Sequence, residues 1–406
     1  MRRFLINAAT GMVAGYTLVR SLQALADLRE PGIALDKDAA AYGALRRGLM
    51  LSGLVRSLAG LAVAAYVVGP RIDAAETPEP RLRRVALVAS GLALSALADL
   101  PVDYVEDAVL ERRYGLSKQG SREWSVERGK SFALSLAIGV PLSEALATAI
   151  ERAPRNWPLV ATAGAVPLLV LANVVAPTFI APLFNKFEPI EGEFANQVRS
   201  LAERFGAGDA TLLRMNMSKQ TEKANAYVTG LFGTKRIVIG DTLLDRFERR
   251  ETLFVVAHEL GHYVRGDVWR SVAVGTAASA LMSFGSRRLA EGGGRSAAGA
   301  AGLARLFFTA SLLGTFVTPL LAAFSRSRER AADRFACEAT GDAASGAAAF
   351  HRLRERNLAE EQQPLWMELL FSSHPSLRSR IERLEARAAQ APSTAADDAL
   401  EFSDVV

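Results

Sequence analysis

The chain has 406 residues, of which 50% are hydrophobic and 22% are charged, and it carries a net charge of +5 at pH 7. Its mean hydropathy of +0.14 is too high for an ordinary soluble protein, and its charged fraction is too high for a chain that lies wholly in lipid, so we expect membrane spans that alternate with water-exposed segments. No Lys/Arg block with interleaved aromatic residues occurs, which argues against a nucleic-acid partner. The single cysteine, Cys337, excludes an internal disulfide framework and a cysteine-based metal site.

Five apolar stretches in the first half of the chain are each about long enough to cross a bilayer of ~30 Å at about 1.5 Å per residue. They cover 4–26, 49–69, 85–105, 131–150 and 157–184. The first stretch follows two arginines, as a signal peptide would. Its length and the absence of a small-residue cleavage site favour a membrane span instead.

Charged residues interrupt these spans at Arg56, Asp99 and Glu144. Charged groups at such depth normally face the interior of a helix bundle or a water-filled cavity. The alternative is that the spans are shorter and that these groups lie at the membrane surface. Between the third and fourth stretches, residues 106–130 are predicted to be a charged connection.

Residues 185–257 form a water-exposed segment. It contains a predicted helix around 193–206 and two strand candidates, 225–230 and 235–240. Glycines between the two strands suit a hairpin turn.

The sequence His258-Glu259-Leu260-Gly261-His262 follows on an apolar background that is compatible with a helix. Residues i and i+4 differ by about 40° around a helix, so both imidazoles point the same way and can bind Zn²⁺. Glu259 can then act as the base for a water molecule that the metal activates. The alternative is a helix that merely carries two surface histidines.

Two further spans, 268–286 and 303–324, flank a glycine-rich loop and return the chain to the side that it left. Glu329 is the first carboxylate after the second span, and Asp333 lies on the same helical face. A catalytic zinc needs three protein ligands and an open position, which makes Glu329 the candidate third ligand. Asp333 suits a position behind a ligating histidine. Alternatively, both carboxylates pair with neighbouring arginines on a solvated face.

Several further motifs appear in a fixed order around these candidates. They are ERRYGLSKQ at 111–119, IAPLFNKF at 180–187, KANAY at 223–227, KRIV at 235–238, the histidine motif at 258–262, Glu329 with Asp333, and SHP at 373–375 followed by Arg380. Together they resemble the integral-membrane type I CAAX prenyl proteases, which are zinc metallopeptidases of the gluzincin class. The resemblance extends from about residue 100 to 385, and the earlier spans match only in pattern.

The resemblance implies a mainly α, polytopic membrane protein. About seven transmembrane helices would enclose a chamber, with a small α+β, gluzincin-like catalytic domain at one end. The expected division is 1–184 as a membrane region of about five helices, 185–267 as a catalytic segment with the substrate-edge strand and the histidine helix, 268–324 as a transmembrane hairpin, 325–389 as catalytic helices with the third zinc ligand, and 390–406 as a disordered tail.

The resemblance also implies roles for residues outside the metal ligands. Asn225, Ala226 and Tyr227 would form the edge that receives a peptide as an added strand. His374 would donate to the tetrahedral oxyanion, and Arg380 would orient His374 or a carboxylate. The alternatives are strand packing for Tyr227, a surface loop for His374 and a plain helix face for Arg380.

The predicted function is therefore a membrane-embedded endopeptidase with one Zn²⁺ per chain. Its partners would be a peptide or protein substrate, lipidated or not, and the lipid bilayer. A composition rich in Ala, Arg and Gly is typical of bacteria with GC-rich DNA, where prenylated substrates are not expected. Two alternatives stay open: a quality-control or signalling protease with unmodified substrates, and a transporter or lipid-handling protein whose metal is structural.

We expect the protein in the bacterial inner membrane. Five spans precede the catalytic segment, so the N-terminus should lie opposite the zinc. The distribution of Lys and Arg does not fix the direction, whereas the resemblance implies an active site that faces the cytoplasm.

Overall fold

The computed structural model describes residues 38–73, 80–231, 233–292 and 297–390. The predicted first span at 4–26 lies outside the described residues, as do residues 391–406 of the predicted tail at 390–406 and the centre of the glycine-rich loop. The described part of the chain is mainly helical, with one small sheet.

Four long helices form the membrane region. They are α1 (Ala39–Ile72), α2 (Arg81–Arg113), α3 (Ser121–Arg152) and α4 (Trp157–Phe184). The first three extend beyond the predicted apolar stretches, because an apolar run marks the part in lipid and a helix can continue into water. The predicted charged connection at 106–130 is therefore helical for most of its length, since only 114–120 separate α2 from α3.

The charges within these spans are paired between neighbouring helices. The Nε atom of Arg56 on α1 lies 3.0 Å from Oδ1 of Asp99 on α2. Both carboxylate oxygens of buried Glu144 on α3 accept from buried Arg84 on α2, at 2.8 and 3.0 Å. A fork-shaped pair of this kind satisfies two charges that lipid could not solvate.

A four-stranded sheet follows the membrane region. Its elements in chain order are β1 (Phe187–Pro189), α5 (Glu193–Arg204), β2 (Thr211–Met215), β3 (Ala226–Thr229) and β4 (Arg236–Gly240). The spatial order is β1-β2-β4-β3, in which β2 and β4 are parallel and the other pairs antiparallel. The predicted hairpin is β3–β4, and β3 forms one edge of the sheet.

The turn after β3 depends on Gly230. Its φ is +97°, and a Cβ at this position would lie 2.1 Å from the carbonyl oxygen of Thr234. Only glycine fits a backbone that is both left-handed and this close to its neighbour.

The remaining helices build and close the catalytic side. They are α6 (Asp241–Arg246), α7 (Arg249–Val264), α8 (Asp267–Ala290), α9 (Gly299–Thr340), α10 (Ala343–Arg356), α11 (Leu365–Leu370) and α12 (Leu377–Gln390). Helix α9 is continuous across the predicted boundary at 324/325, so the last span and the segment with Glu329 are one helix.

Five described helices, α1 to α4 and α9, are long and apolar enough to cross a membrane. Helix α8 covers the predicted span 268–286 and packs against α4 and α9, but it is not among these five.

Helix α7 lies at the centre of the main hydrophobic core. Phe254, Val256 and Leu260 on α7 are fully buried among α5, the inner face of the sheet, and the ends of α9, α10 and α12. At Gly346 of α10, an added Cβ would lie 2.4 Å from the ring of Phe254, so a glycine lets α10 approach α7 closely. The core thus fixes the face of α7 that bears the histidines.

Candidate metal centre

Helix α7 presents His258 and His262 on one face, with ring centroids 4.9 Å apart. His258 is buried and His262 half-buried. The helix begins with a capping box in which the backbone N–H of Glu248 donates to Glu251 at 2.9 Å. The cap and the buried opposite face fix the position of the helix and so of both imidazoles.

Glu329 on α9 meets both imidazoles. Its Oε2 lies 3.3 Å from Nε2 of His258, and its Oε1 lies 3.3 Å from Nε2 of His262. One ligand atom from each of the three residues falls within 4.8 Å of the others. Oε2 of Glu329 is buried and makes no hydrogen bond of acceptable geometry. A buried, unsatisfied carboxylate oxygen beside two imidazole nitrogens fits a cation site.

The close contact of α7 with α9 depends on Gly261. A Cβ at this position would lie 3.0 Å from Cδ1 of Phe335 and 3.3 Å from Cα of Ala332. The two helix backbones can therefore approach only because residue 261 has no side chain. This approach brings Glu329 within reach of the histidines.

Behind His258 lies Asp333, as the sequence predicts. Nδ1 of His258 is 3.0 Å from Oδ1 of Asp333. Arg380 holds the same carboxylate with two hydrogen bonds, of 2.6 and 3.0 Å, and its NH1 lies 3.3 Å from Glu329. The guanidinium also stacks on Phe350, 4.1 Å from the ring centroid. Arg380 thus contacts the carboxylates of Asp333 and Glu329, and its role in orienting a carboxylate stays a prediction.

Asp267 is a site residue that the sequence analysis missed. Its Oδ2 lies 2.9 Å from Nδ1 of His262, and its Oδ1 lies 2.6 Å from Nε of Arg328. The chain turns at Gly266, which is left-handed with a φ of +66°, and Asp267 opens α8. The signal was present as the first carboxylate after the histidine helix, just beyond a helix-ending glycine.

Burial and hydrogen bonding shift the pKa values of this centre. Burial lowers the pKa of His258, but hydrogen bonds to Asp333 and Glu329 outweigh this effect and raise it to about 9. The two carboxylates therefore favour a positive charge at this point. Burial also raises the pKa of Glu259, and a carboxyl group with a raised pKa is suited to general acid–base work.

His374 lies at the open side of the cluster. Its side chain is 61% exposed, and its Nε2 is 3.3 Å from Oε1 of Glu329. Its Nδ1 is 2.9 Å from Oγ of Ser373. Although His374 is more than 100 positions from His262 in the chain, the fold brings it to the same carboxylate.

The predicted substrate edge lies on β3, but its three residues differ in orientation. Asn225 is exposed, while buried Ala226 packs on the core around α7. Tyr227 faces the opposite side of the sheet, where it packs against a small cluster that includes Met215 and Val238. The structure therefore favours strand packing for the Tyr227 side chain, which was the alternative interpretation.

The outer edge of β3 carries unpaired backbone groups among the described residues. The N–H of Gly240 donates to the carbonyl of Asn225 at 2.9 Å. Because antiparallel ladders alternate, the amides and carbonyls of Ala226 and Val228 then point away from β4. They form a template on which an extended peptide can pair.

Both halves of the chain match models of known protein families. Residues 190–388 match the model of peptidase family M48. Residues 39–186 match a model described as the CAAX prenyl protease N-terminal region with five membrane helices.

Individual relatives agree with these matches. The uncharacterized metalloprotease YhfN of Bacillus subtilis is 30% identical over 308 residues, which are 72% of this chain and 71% of that protein. CAAX prenyl protease 1 of Saccharomyces cerevisiae is 34% identical over 197 residues, 46% of this chain and 44% of that protein. The fold resembles the crystal structure of Ste24p from S. mikatae, with a TM-score of 0.72, 24% identity and coverage of 93% of this chain and 96% of that one.

Proposed function

The chain belongs to the CAAX prenyl protease family of membrane metallopeptidases, and on that premise we propose that it is a zinc endopeptidase whose active site is the cluster on α7 and α9. The observation that carries the proposal is the convergence of His258 and His262 on one carboxylate of Glu329, with Glu259 beside them on the same helix.

We assign one zinc ion per chain to His258, His262 and Glu329. Two neutral imidazoles and a carboxylate are a donor set that zinc favours, and three protein ligands leave a position open for the reaction. A structural zinc would be closed by a fourth protein ligand. The family membership and the presence of Glu259 both argue against a transporter with a structural metal.

When bound, the metal supplies a Lewis acid for the scissile carbonyl and for the attacking water. Glu259 accepts a proton from that water and returns it to the leaving amine. At about 100° per residue, Glu259 projects about 60° from the direction of His262, so its carboxylate flanks the ligands and stays free of them. His374 donates a hydrogen bond to the oxyanion from the exposed side of the cluster.

The substrate is proposed to bind as an extra strand along β3. The outward backbone groups of Ala226 and Val228 would hold an extended peptide, and main-chain hydrogen bonds of this kind read conformation more than side-chain identity. Exposed Asn225 lies at the start of this edge and is available to the peptide.

Seven membrane spans are proposed, comprising the five apolar helices, helix α8 and the predicted span at 4–26. They would enclose a chamber and place the active site at the cytoplasmic face of a bacterial inner membrane. Several relatives are named CAAX prenyl proteases, and a farnesylated peptide is therefore the first substrate to offer this protein. The same peptide without the lipid tests the alternative of unmodified substrates.

Glu259→Gln tests the proposed activity. The substitution keeps size and hydrogen-bonding reach but removes the base, so peptide cleavage should fall by at least ~10², the usual scale for a lost general base. Zinc content should stay at one per chain. Glu338→Gln, at an exposed position of α9, is the matched control and should cleave normally. Wild-type cleavage by Glu259→Gln would contradict the mechanism.

A further inference from the structure

Helix α11 (Leu365–Leu370) carries an exposed apolar face on the catalytic side of the protein. Four large side chains remain open although the helix packs against α9. Their exposed fractions are 69% for Leu365, 42% for Trp366, 50% for Leu369 and 40% for Leu370. At about 100° per residue they cover a continuous arc of about 140°, and Glu368 and Met367 occupy the rest. A short amphipathic helix with tryptophan on its apolar face is typical of a membrane-interface element.

The backbone of α11 is fastened to the end of a membrane-spanning helix. Buried Arg326 on α9 donates to the carbonyls of Glu368 and Ser372, at 2.5 and 2.8 Å, and to that of Leu369 at 3.4 Å. Arg326 follows directly on the last apolar turns of α9. The depth of α11 is therefore that of the point where α9 leaves the lipid.

Three further observations bear on this depth. Arg328, half a turn beyond Arg326, pairs with Asp267 at the start of α8. Trp269 lies two residues into α8 and is 47% exposed, and tryptophan is enriched where membrane helices enter water. On α9 itself, Leu320 is 69% exposed and lies about 9 Å before Arg326 at 1.5 Å per residue. Leu320, Trp269 and the apolar face of α11 are thus exposed apolar surface close to the same point of α9.

We propose that α11 lies in the phospholipid interface, with Leu365, Trp366, Leu369 and Leu370 inserted among the acyl chains. The occupant of this apolar face is the bilayer that surrounds α9, and neither a protein partner nor the substrate is needed to cover it. Leu370 precedes His374 by only four residues. Insertion of α11 into the interface therefore fixes the position of the loop that brings His374 to Glu329.

The depth of α11 can be measured with spin labels. In a Cys337→Ala background, Leu365→Cys and Leu369→Cys each provide one labelling site in phosphatidylcholine nanodiscs. For both labels, collisions with oxygen should be favoured over collisions with a water-soluble nickel chelate. The ratio of the two collision rates should be several-fold higher than for a label at Glu385→Cys on the exposed surface of α12. One zinc per chain in each variant shows that it is folded.

The proposal would be overturned if the labels at 365 and 369 were as accessible to the nickel chelate as the label at 385. It would also be overturned by labels shielded from both reagents, because that result would place α11 against protein, as in a contact with a second copy. A second measurement leaves Cys337 in place. A lipid with a nitroxide near its headgroup should quench the tryptophan emission of the wild type more than that of Trp366→Phe, and equal quenching would also overturn the proposal.

Discussion

Each proposed histidine ligand is backed by its own carboxylate and its own arginine. Asp333 lies behind His258 and is held by Arg380. Asp267 lies behind His262 and is paired with Arg328. In both cases Nδ1 contacts the carboxylate, which leaves Nε2 directed at Glu329. A carboxylate behind a ligating imidazole fixes its tautomer and orientation and increases its basicity.

Asp267→Asn should weaken zinc binding by about 10- to 100-fold, the usual effect of losing such a partner. The amide keeps the size of Asp267 but removes the charge that aligns His262. Zinc affinity is measured by competition with a chelator of known strength. Asp245→Asn, at a half-exposed position that pairs with Arg214, is the matched control. An unchanged zinc affinity in Asp267→Asn would remove this residue from the site.

At the scale of elements, the site depends on how closely α7 approaches α9. Gly261→Val places two additional methyl groups against Phe335 and Ala332, where even one Cβ is tight. Overpacking of this kind costs about 1–3 kcal/mol. We expect a lower Tm and weaker zinc binding, since the helices must separate and carry Glu329 away.

The control for this prediction is Gly164→Val on α4. No heavy atom lies within 4 Å of a Cβ at that position, so the same side chain should be accommodated there. If both variants kept wild-type zinc affinity, the close approach at Gly261 would not be what assembles the ligands.

The outer edge of β3 gives a second prediction at this scale. Val228→Pro removes one outward amide, and proline is tolerated on an edge strand when its missing N–H faced away from the ladder. Losing one hydrogen bond worth about 0.5–1.5 kcal/mol should raise KM for a peptide about two- to tenfold, with kcat nearly unchanged. Val228→Ala controls for the smaller side chain. Equal KM values in the two variants would argue against pairing along this edge.

The sequence predicted the elements whose signals are local. Apolar runs marked the membrane helices. Strands β3 and β4 showed alternating polar and apolar residues on either side of a glycine turn. Strands β1 and β2 were missed because they are short and are stabilised by pairing with distant residues, as when Thr211 pairs with Arg236. Asp267 was missed because its role depends on the bend at Gly266, and the side to which Tyr227 turns depends on the register of the sheet. The helix ends were misjudged where charged residues continue a helix into water.

At the scale of the whole molecule, α8 reaches across the same thickness as its neighbours. It begins at Asp267, beside the metal centre, and near its other end Arg287 donates to the carbonyl of Arg155 in the α3–α4 connection. Its 24 residues span about 36 Å at 1.5 Å per residue. This length suits a membrane span, although its composition is less apolar than that of α4 or α9.

We therefore predict that the catalytic segment and the C-terminal helices lie on one side of the membrane and that the α3–α4 connection lies on the other. Single cysteines at Asp245, Glu385 and Arg155 in a Cys337→Ala background can be labelled with an impermeant reagent in sealed vesicles. The first two positions should react from the same side and the third from the opposite side. Reaction of Asp245→Cys and Glu385→Cys from opposite sides would separate Glu329 from the histidines and contradict the proposed seven-span arrangement.

The assignment of the third ligand to α9 has a consequence for biosynthesis. A chain emerging from the ribosome completes His258, Glu259 and His262 first, but it lacks Glu329 and the partners Asp333 and Arg380 until the last span has been inserted. On the proposed ligand assignment, translation would therefore release no proteolytic activity into the membrane before α9 and α12 are complete. A chain that stops short of α9 would have the histidine helix without the carboxylate proposed to complete its metal site, and we expect such a prematurely terminated product to be inert toward neighbouring proteins.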